Sequence, residues 1–189
     1  MATDQAVRLT PQEYLAFERK AMTKHEYVDG KLREMTGASR PHVLIAGNVH
    51  GLFWNAVRGR AFEAYEADMR VRVPDGPYYY PDVTVASSPP ELEDEIADTL
   101  LNPLVIVEVL SPSTEEHDRG EKLDNFRLIP SLVHYVIIAQ DRVWVDHRRR
   151  SGRGWPLRVY TSLADRVPLP EIGCELPLAE VYERVFPAQ

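Results

Sequence analysis

A chain of 189 residues, 44% of them hydrophobic, is long enough to bury a core and too short for two ordinary domains, so a single domain is expected. Its formal charge of -7 excludes a broadly basic surface, and any contact with nucleic acid must rest on a local patch. The lone cysteine, Cys174, excludes an internal disulfide framework and a thiolate zinc site. No apolar run approaches the length of a membrane span and the first ten residues lack a signal-peptide pattern, so the cytoplasm is the expected compartment, with no membrane partner.

In chain order, Thr10-Pro11 ahead of "QEYLAFERK" predicts a helix capped by Thr10 with Pro11 at its first position. "HEYVDGKLREM" predicts a hairpin about Asp29-Gly30, which pairs Glu26 with Arg33 and turns Tyr27 and Leu32 to the opposite face. That register leaves Glu26 open to a plain role as an exposed ion pair. A second helix is expected from near Pro41, because Ile45, Val49, Leu52, Phe53 and Ala56 recur at helical spacing and Gly59 can end it. Its His42, beside the helix start, is a candidate substrate contact, although packing or surface roles are commoner for such histidines.

"AFEAYEADMRVRV" and "YYYPDVTVAS" each predict a strand, with the turn "PDGP" between them, and the acidic connector "PPELEDEIADTLLN" is open to a short helix. "PLVIVEVL", 103–110, reads as a strand buried on both faces. "STEE" offers a capping box, Ser113 with Glu116, for a helix over 114–129. "HYVIIAQDRVWVDHRR" predicts two strands about Gln140-Asp141, and "WPLRVYTS" one more. The last segment predicts a short helix whose Leu178, Val181, Tyr182 and Val185 dock on the body or on a second subunit, and a homodimer is an expectation on that basis. Helices and strands alternate through the middle of the chain, which points to an α/β fold with a mixed sheet flanked by helices.

One residue is out of place. Glu108 stands near the end of an otherwise apolar strand, and the strand opened by Asp82 precedes it directly, so the two strands are expected to be neighbours. Two carboxyl groups in a poorly solvated place suffer both desolvation and mutual repulsion. A divalent cation removes both penalties, and oxygen donors of this kind suit Mg²⁺ or Mn²⁺. On a helical wheel Asp118, Lys122, Asn125, Phe126 and Ile129 share an arc, so Lys122 faces the sheet and its acids. Each residue has a plainer reading: Glu108 as a helix cap, Asp82 as a turn former, Lys122 as an i,i+4 partner of Asp118. Their occurrence in this order favours a site.

"DHRRRSGRGWPLR" gathers Arg148, Arg149, Arg150, Arg153 and Arg158 around Trp155, a set open to tracking a phosphate backbone or to forming a solvated hairpin loop. No helix with the features of a groove reader is evident, which suggests little intrinsic sequence preference.

"PDVTVA", "LVIVEVLSPST", "DRGEKLDNF" and "IPSLVHYVII", with "HEYVDGK" upstream, together resemble the Uma-type family of "putative restriction endonucleases" in the PD-(D/E)XK nuclease superfamily. The resemblance runs over about residues 10–148 and implies a restriction-endonuclease-like core, a divalent-metal site and hydrolysis of phosphodiester bonds, with nucleic acid, DNA foremost, as substrate. It further implies Asp82 and Glu108 as metal ligands, the Val109 carbonyl as a third, Lys122 as the catalytic lysine, and Glu26 as a metal-binding residue acting directly or through water. The chain departs from the superfamily pattern two positions beyond the second acid, where Leu110 stands in place of lysine; Lys122 must then reach the same point from the following helix. Two alternatives stay open: a catalytically inactive nuclease fold serving as a protein-interaction module, and a hydrolase of small phosphate esters.

Overall fold

The structure, a computed structural model, describes residues 8–111 and 115–186. Helix α1 (Pro11–Glu18) begins at Thr10 with a complete capping box, Thr10 reciprocating with Glu13. It leads into the hairpin β1 (His25–Val28) and β2 (Lys31–Glu34), whose register pairs Glu26 with Arg33 and Tyr27 with Leu32. Asp29 and Gly30 both take positive φ, 49° and 81°, the backbone of a type I′ turn. Helix α2 (Arg40–Val57) follows, with Ser39 as its cap.

Two segments that read as single strands are each divided between two sheets. "AFEAYEADMRVRV" gives β3 (Phe62–Glu66) and β4 (Arg70–Arg72), and "YYYPDVTVAS" gives β5 (Tyr78–Tyr79) and β6 (Val83–Ser87). The reason in the second case is Pro81, which has no N–H to donate to a ladder and sits where the chain leaves one sheet for the other. Asp82 therefore precedes β6 rather than opening it. The acidic connector forms no helix among the described residues, only the short strand β7 (Thr99–Leu100).

Strand β8 (Pro103–Leu110) is the centre of the larger sheet, and β9 (His134–Ala139), β10 (Val145–Arg149) and β11 (Leu157–Tyr160) continue it. The order is β11-β10-β9-β8-β6-β3, with β8 and β9 parallel and the other pairs antiparallel, so the fold is a mixed α/β one. A five-stranded sheet, β2-β1-β5-β4-β7, lies beside it. A two-stranded ribbon, β12 (Arg166–Leu169) with β13 (Cys174–Pro177), precedes α5 (Leu178–Val181).

Alternation along β8 decides what meets what. Val105, Val107 and Val109 join the core beneath α2, where Ile45, Val49, Phe53 and Val57 are buried. Burying those four helix side chains contributes about 1.5–3 kcal/mol each. Ile106 and Leu110 face the other way, into a core with Phe126, Ile129 and Tyr135. Glu108 lies between those two and so shares their face. The crossover from β8 to β9 is not one helix over 114–129 but two short ones, α3 (Glu115–Arg119) and α4 (Glu121–Phe126). They part at Gly120, whose φ -109° and ψ -101° lie outside the helical region, a departure glycine accommodates best. The expected cap of Ser113 with Glu116 lies outside the described residues.

The C-terminal segment docks on its own body: Leu178, Val181, Tyr182 and Val185 are all buried in the core beneath α2. That apolar face is used within the chain and is not left over for a second subunit. No helix among the described residues is long and apolar enough to cross a membrane.

Candidate active site

The site forms where the C-terminal end of β8 meets the small sheet, α2 and the broken crossover helix. The register Val83↔Val107 sets Asp82 opposite Glu108, one step beyond the last pair. Both line a cleft of about 1070 Å³, together with Glu26, Val109, Lys122 and His42. The five positions singled out as site residues are thus gathered in one place from three separate elements and the joint before β6, and His42 joins them from a fourth, α2.

Lys122 occupies the middle of the acids. Its Nζ is 2.8 Å from Oε1 of Glu26, 2.9 Å from Oε1 of Glu108 and 3.5 Å from Oδ1 of Asp118. The amine is only 4% exposed as a residue, and Glu26, Glu108 and Asp118 are equally enclosed. Glu26 is therefore no exposed ion pair: the hairpin register is as expected, but the Glu26 side chain is buried against Lys122 of α4 and His117 of α3. The Tyr79 ring centroid lies 5.4 Å from Nζ, and Asn125 donates to the Tyr79 hydroxyl at 2.7 Å. Tyr135 donates to the Asp118 carbonyl at 3.0 Å, which ties α3 to the sheet.

Three acids around one amine leave a formal excess of two negative charges in a buried place. Burial above all holds the Glu108 carboxyl well above the usual carboxylate range, with Asp118, Asp82 and Glu26 adding repulsion against the pull of Lys122. The lysine is also held above its ordinary value, because the attraction of Glu108, Glu26 and Asp118 overcomes its own desolvation. Both shifts belong to one arrangement, a single cation among three buried acids. Oε1 of Glu26, Oε1 of Glu108 and Oδ1 of Asp118 are buried and receive no aligned hydrogen bond among the described residues. The lysine is near them without saturating them.

Of these acids Glu108 stands opposite Asp82, and that pair of carboxyl groups is what a hard divalent ion would use. Among the described residues no three His, Cys, Asp or Glu side chains form a ready metal cluster, so a metal would need a main-chain donor as well. Asp82, Glu108 and the Val109 carbonyl form an all-oxygen set of suitable chemistry for Mg²⁺ or Mn²⁺.

Two side chains carry more weight here than their sequence context suggested. His42 Nε2 stands 2.8 Å from Oδ1 of Asp82, across 40 positions of sequence, and no local pattern announces that contact. Asp118 turns inward as the third acid around Lys122, a placement visible on the helical wheel but there assigned only as an i,i+4 partner. Three arginines of the cluster bond within the chain: Arg148 donates to the Trp155 carbonyl, Arg149 to Glu171, and Arg150 to the carbonyls of Leu132, Ile129 and Arg127. Cys174 is partly buried and burial raises its thiol pKa, which does not suit a nucleophile.

Comparison with known proteins bears on the family and the fold. The chain is 32% identical over 176 residues to "Uncharacterized protein slr1290" of Synechocystis, covering 93% of this chain and 92% of the relative. It is 34% identical over 151 residues to "Uncharacterized protein sll1609" of the same organism, covering 79% and 85%. Its fold matches the crystal structure of "a putative nuclease belonging to DUF820" from Anabaena variabilis with a TM-score of 0.77 at 18% identity, over 94% of this chain and 99% of that one. The model of the family described as "Putative restriction endonuclease", Uma2, matches residues 11–179, and the chain belongs to that family.

Proposed function

We propose that this protein is a divalent-metal-dependent endonuclease that hydrolyses phosphodiester bonds of DNA in the cytoplasm. The observation that carries the reading is the buried group of Glu26, Glu108 and Asp118 around Lys122, with Asp82 alongside: an excess of acid that costs stability and has no packing purpose. Family membership and the nuclease-like fold support the same class of reaction.

Asp82, Glu108 and the Val109 carbonyl would hold the metal. When bound, a divalent cation supplies Lewis acidity toward a phosphoryl oxygen and positive charge against the acids. Lys122 is placed to donate to a non-bridging phosphate oxygen as negative charge builds during attack by water, the stabilisation that matters most in such a step. As water adds to phosphorus and gives up a proton, and the P–O bond breaks with the leaving oxygen taking up a proton in turn, Glu26 would keep the amine aimed through its 2.8 Å contact with Nζ. Burial of both partners fixes that geometry without reorganisation at the moment of reaction.

The test is cleavage of supercoiled plasmid at low salt with Mg²⁺ or Mn²⁺, beside a generic aryl phosphate diester. Nicking that requires the metal and vanishes in Glu108→Ala and Lys122→Ala supports the proposal. Turnover of the aryl diester without plasmid cleavage moves the substrate to small phosphate esters. Calorimetry that finds no metal binding removed by Glu108→Ala overturns the catalytic reading and leaves the protein-interaction module.

A further inference from the structure

We propose that His42 is the positioning residue for Asp82, an inference that rests on the metal-dependent reading above. Asp82 stands apart from the acids that Lys122 steadies. It lies outside the strand ladder, on the joint between the two sheets, and among the described residues Lys122 contacts Glu26, Glu108 and Asp118 but not Asp82. What holds it is a pair of donors, one on each oxygen. The Val109 amide donates to Oδ2 at 2.7 Å, and His42 Nε2 meets Oδ1 at 2.8 Å; a carboxylate only accepts, so the ring nitrogen is the donor.

The two donors come from different layers. Val109 belongs to β8, on the strand that carries Glu108, whereas His42 is the third residue of α2. Together they fix the plane of the Asp82 carboxylate relative to Glu108 and leave a lone pair on each oxygen for another ligand. A carboxylate held at one oxygen only would turn about its last bond and lose that relation.

The backbone that carries His42 is itself anchored. Ser39 Oγ accepts from the His42 amide at 3.3 Å and donates to the Gln140 side chain at the end of β9. The path Gln140, Ser39, His42, Asp82, Val109 runs from the end of one parallel strand to the end of its neighbour by way of the helix start. Side chains that hydrogen-bond a metal ligand tune affinity in this way, and their loss typically weakens binding about 10–100-fold.

The experiment is calorimetric titration of the full chain with Mn²⁺, comparing native protein with His42→Ala, His42→Gln and His42→Asn. The glutamine amide nitrogen can take the place of Nε2, and the shorter asparagine cannot reach it. Expected is a loss of about 10–100-fold in affinity for His42→Ala, near-native affinity for His42→Gln, and no recovery for His42→Asn. In plasmid cleavage the metal concentration for half-maximal rate rises by the same factor in His42→Ala, while turnover at saturating metal falls less. If His42→Ala disrupts the fold, the contrast between glutamine and asparagine decides the matter alone. Native affinity in His42→Ala overturns the positioning role and leaves the metal reading standing. Equal weakness of the glutamine and alanine variants overturns it also, since His42 then acts other than as a donor to Asp82. No Mn²⁺ binding by the native chain overturns the metal reading, and this inference with it.

Discussion

Replacing Lys122 with methionine keeps the length of the side chain and removes its charge, and the structure fixes what is left behind. Glu26, Glu108 and Asp118 lose the one amine within 3.5 Å of all three, in a place where each residue is at most 4% exposed. Removing one partner of a buried ion pair costs about 3–5 kcal/mol, because the other charge stays buried and uncompensated. For a chain of this size each kcal/mol moves the thermal midpoint by about 2–4 °C, so Lys122→Met should melt about 6–20 °C below native at pH 8 in the presence of a chelator. The pH dependence has a definite sign. The native lysine is held above its ordinary value, so its contribution is complete below about pH 10.4 and is lost only as pH rises through the raised value. In the variant Glu108, already held above its usual range by burial and now without the pull of Lys122, binds its proton more tightly when folded than when unfolded, so stability falls as pH rises and recovers toward pH 5. Scanning calorimetry of both proteins from pH 5 to pH 9 checks this. A variant within about 1 kcal/mol of native at pH 8, or a deficit independent of pH, would refute the claim that one amine holds three buried acids together.

Two further perturbations follow from the same charges and from a second buried cluster. Glu108→Gln should raise the metal-free thermal midpoint at pH 8, because a carboxyl held well above its usual range by burial costs stability once pH exceeds its unfolded value; a lower midpoint would contradict the charge excess. His147, which contacts His134 at 2.9 Å, is pushed down to about 4, by burial first and by His134 next. The unfolded chain takes up a proton that the folded chain refuses, so stability is complete above about pH 6.5 and falls as pH drops toward 4, by on the order of 3 kcal/mol. His147→Gln should flatten that loss in acid-unfolding curves, and an unchanged slope would show that this ring does not cause it.

Much of the architecture was legible in the sequence because it rests on local rules. The cap at Thr10, the Asp29-Gly30 turn and the apolar spacing of α2 each act within a few residues, and each element formed where those rules place it. The divided strands were less legible. Tyr78 to Ser87 has strand propensity on either side of Pro81-Asp82, and that this break falls at a crossing between two sheets is a tertiary matter. Gly120 was present in the sequence as a break, yet the pattern of Lys122, Phe126 and Ile129 on one arc masked it. That arc nevertheless pointed the amine correctly, because α4 keeps the spacing even after α3 ends.

At the site the same division holds. Glu108 announced itself as an acid in an apolar strand, and Lys122 through its wheel position, both readings of nearby residues. The burial of Glu26 depends on Lys122 and His117 reaching it from the crossover helices, and the contact of His42 with Asp82 joins residues 40 positions apart. Neither follows from spacing, since both are set by how the layers stack.

The most direct measurement of the central claim is anomalous diffraction from crystals of the native protein soaked in Mn²⁺. The account predicts one peak between Asp82 and Glu108, within roughly 2.1 Å of an oxygen from each and of the Val109 carbonyl, with Lys122 still directed into the cleft. A saturating soak that leaves this position without density, or that places the ion elsewhere, would contradict it.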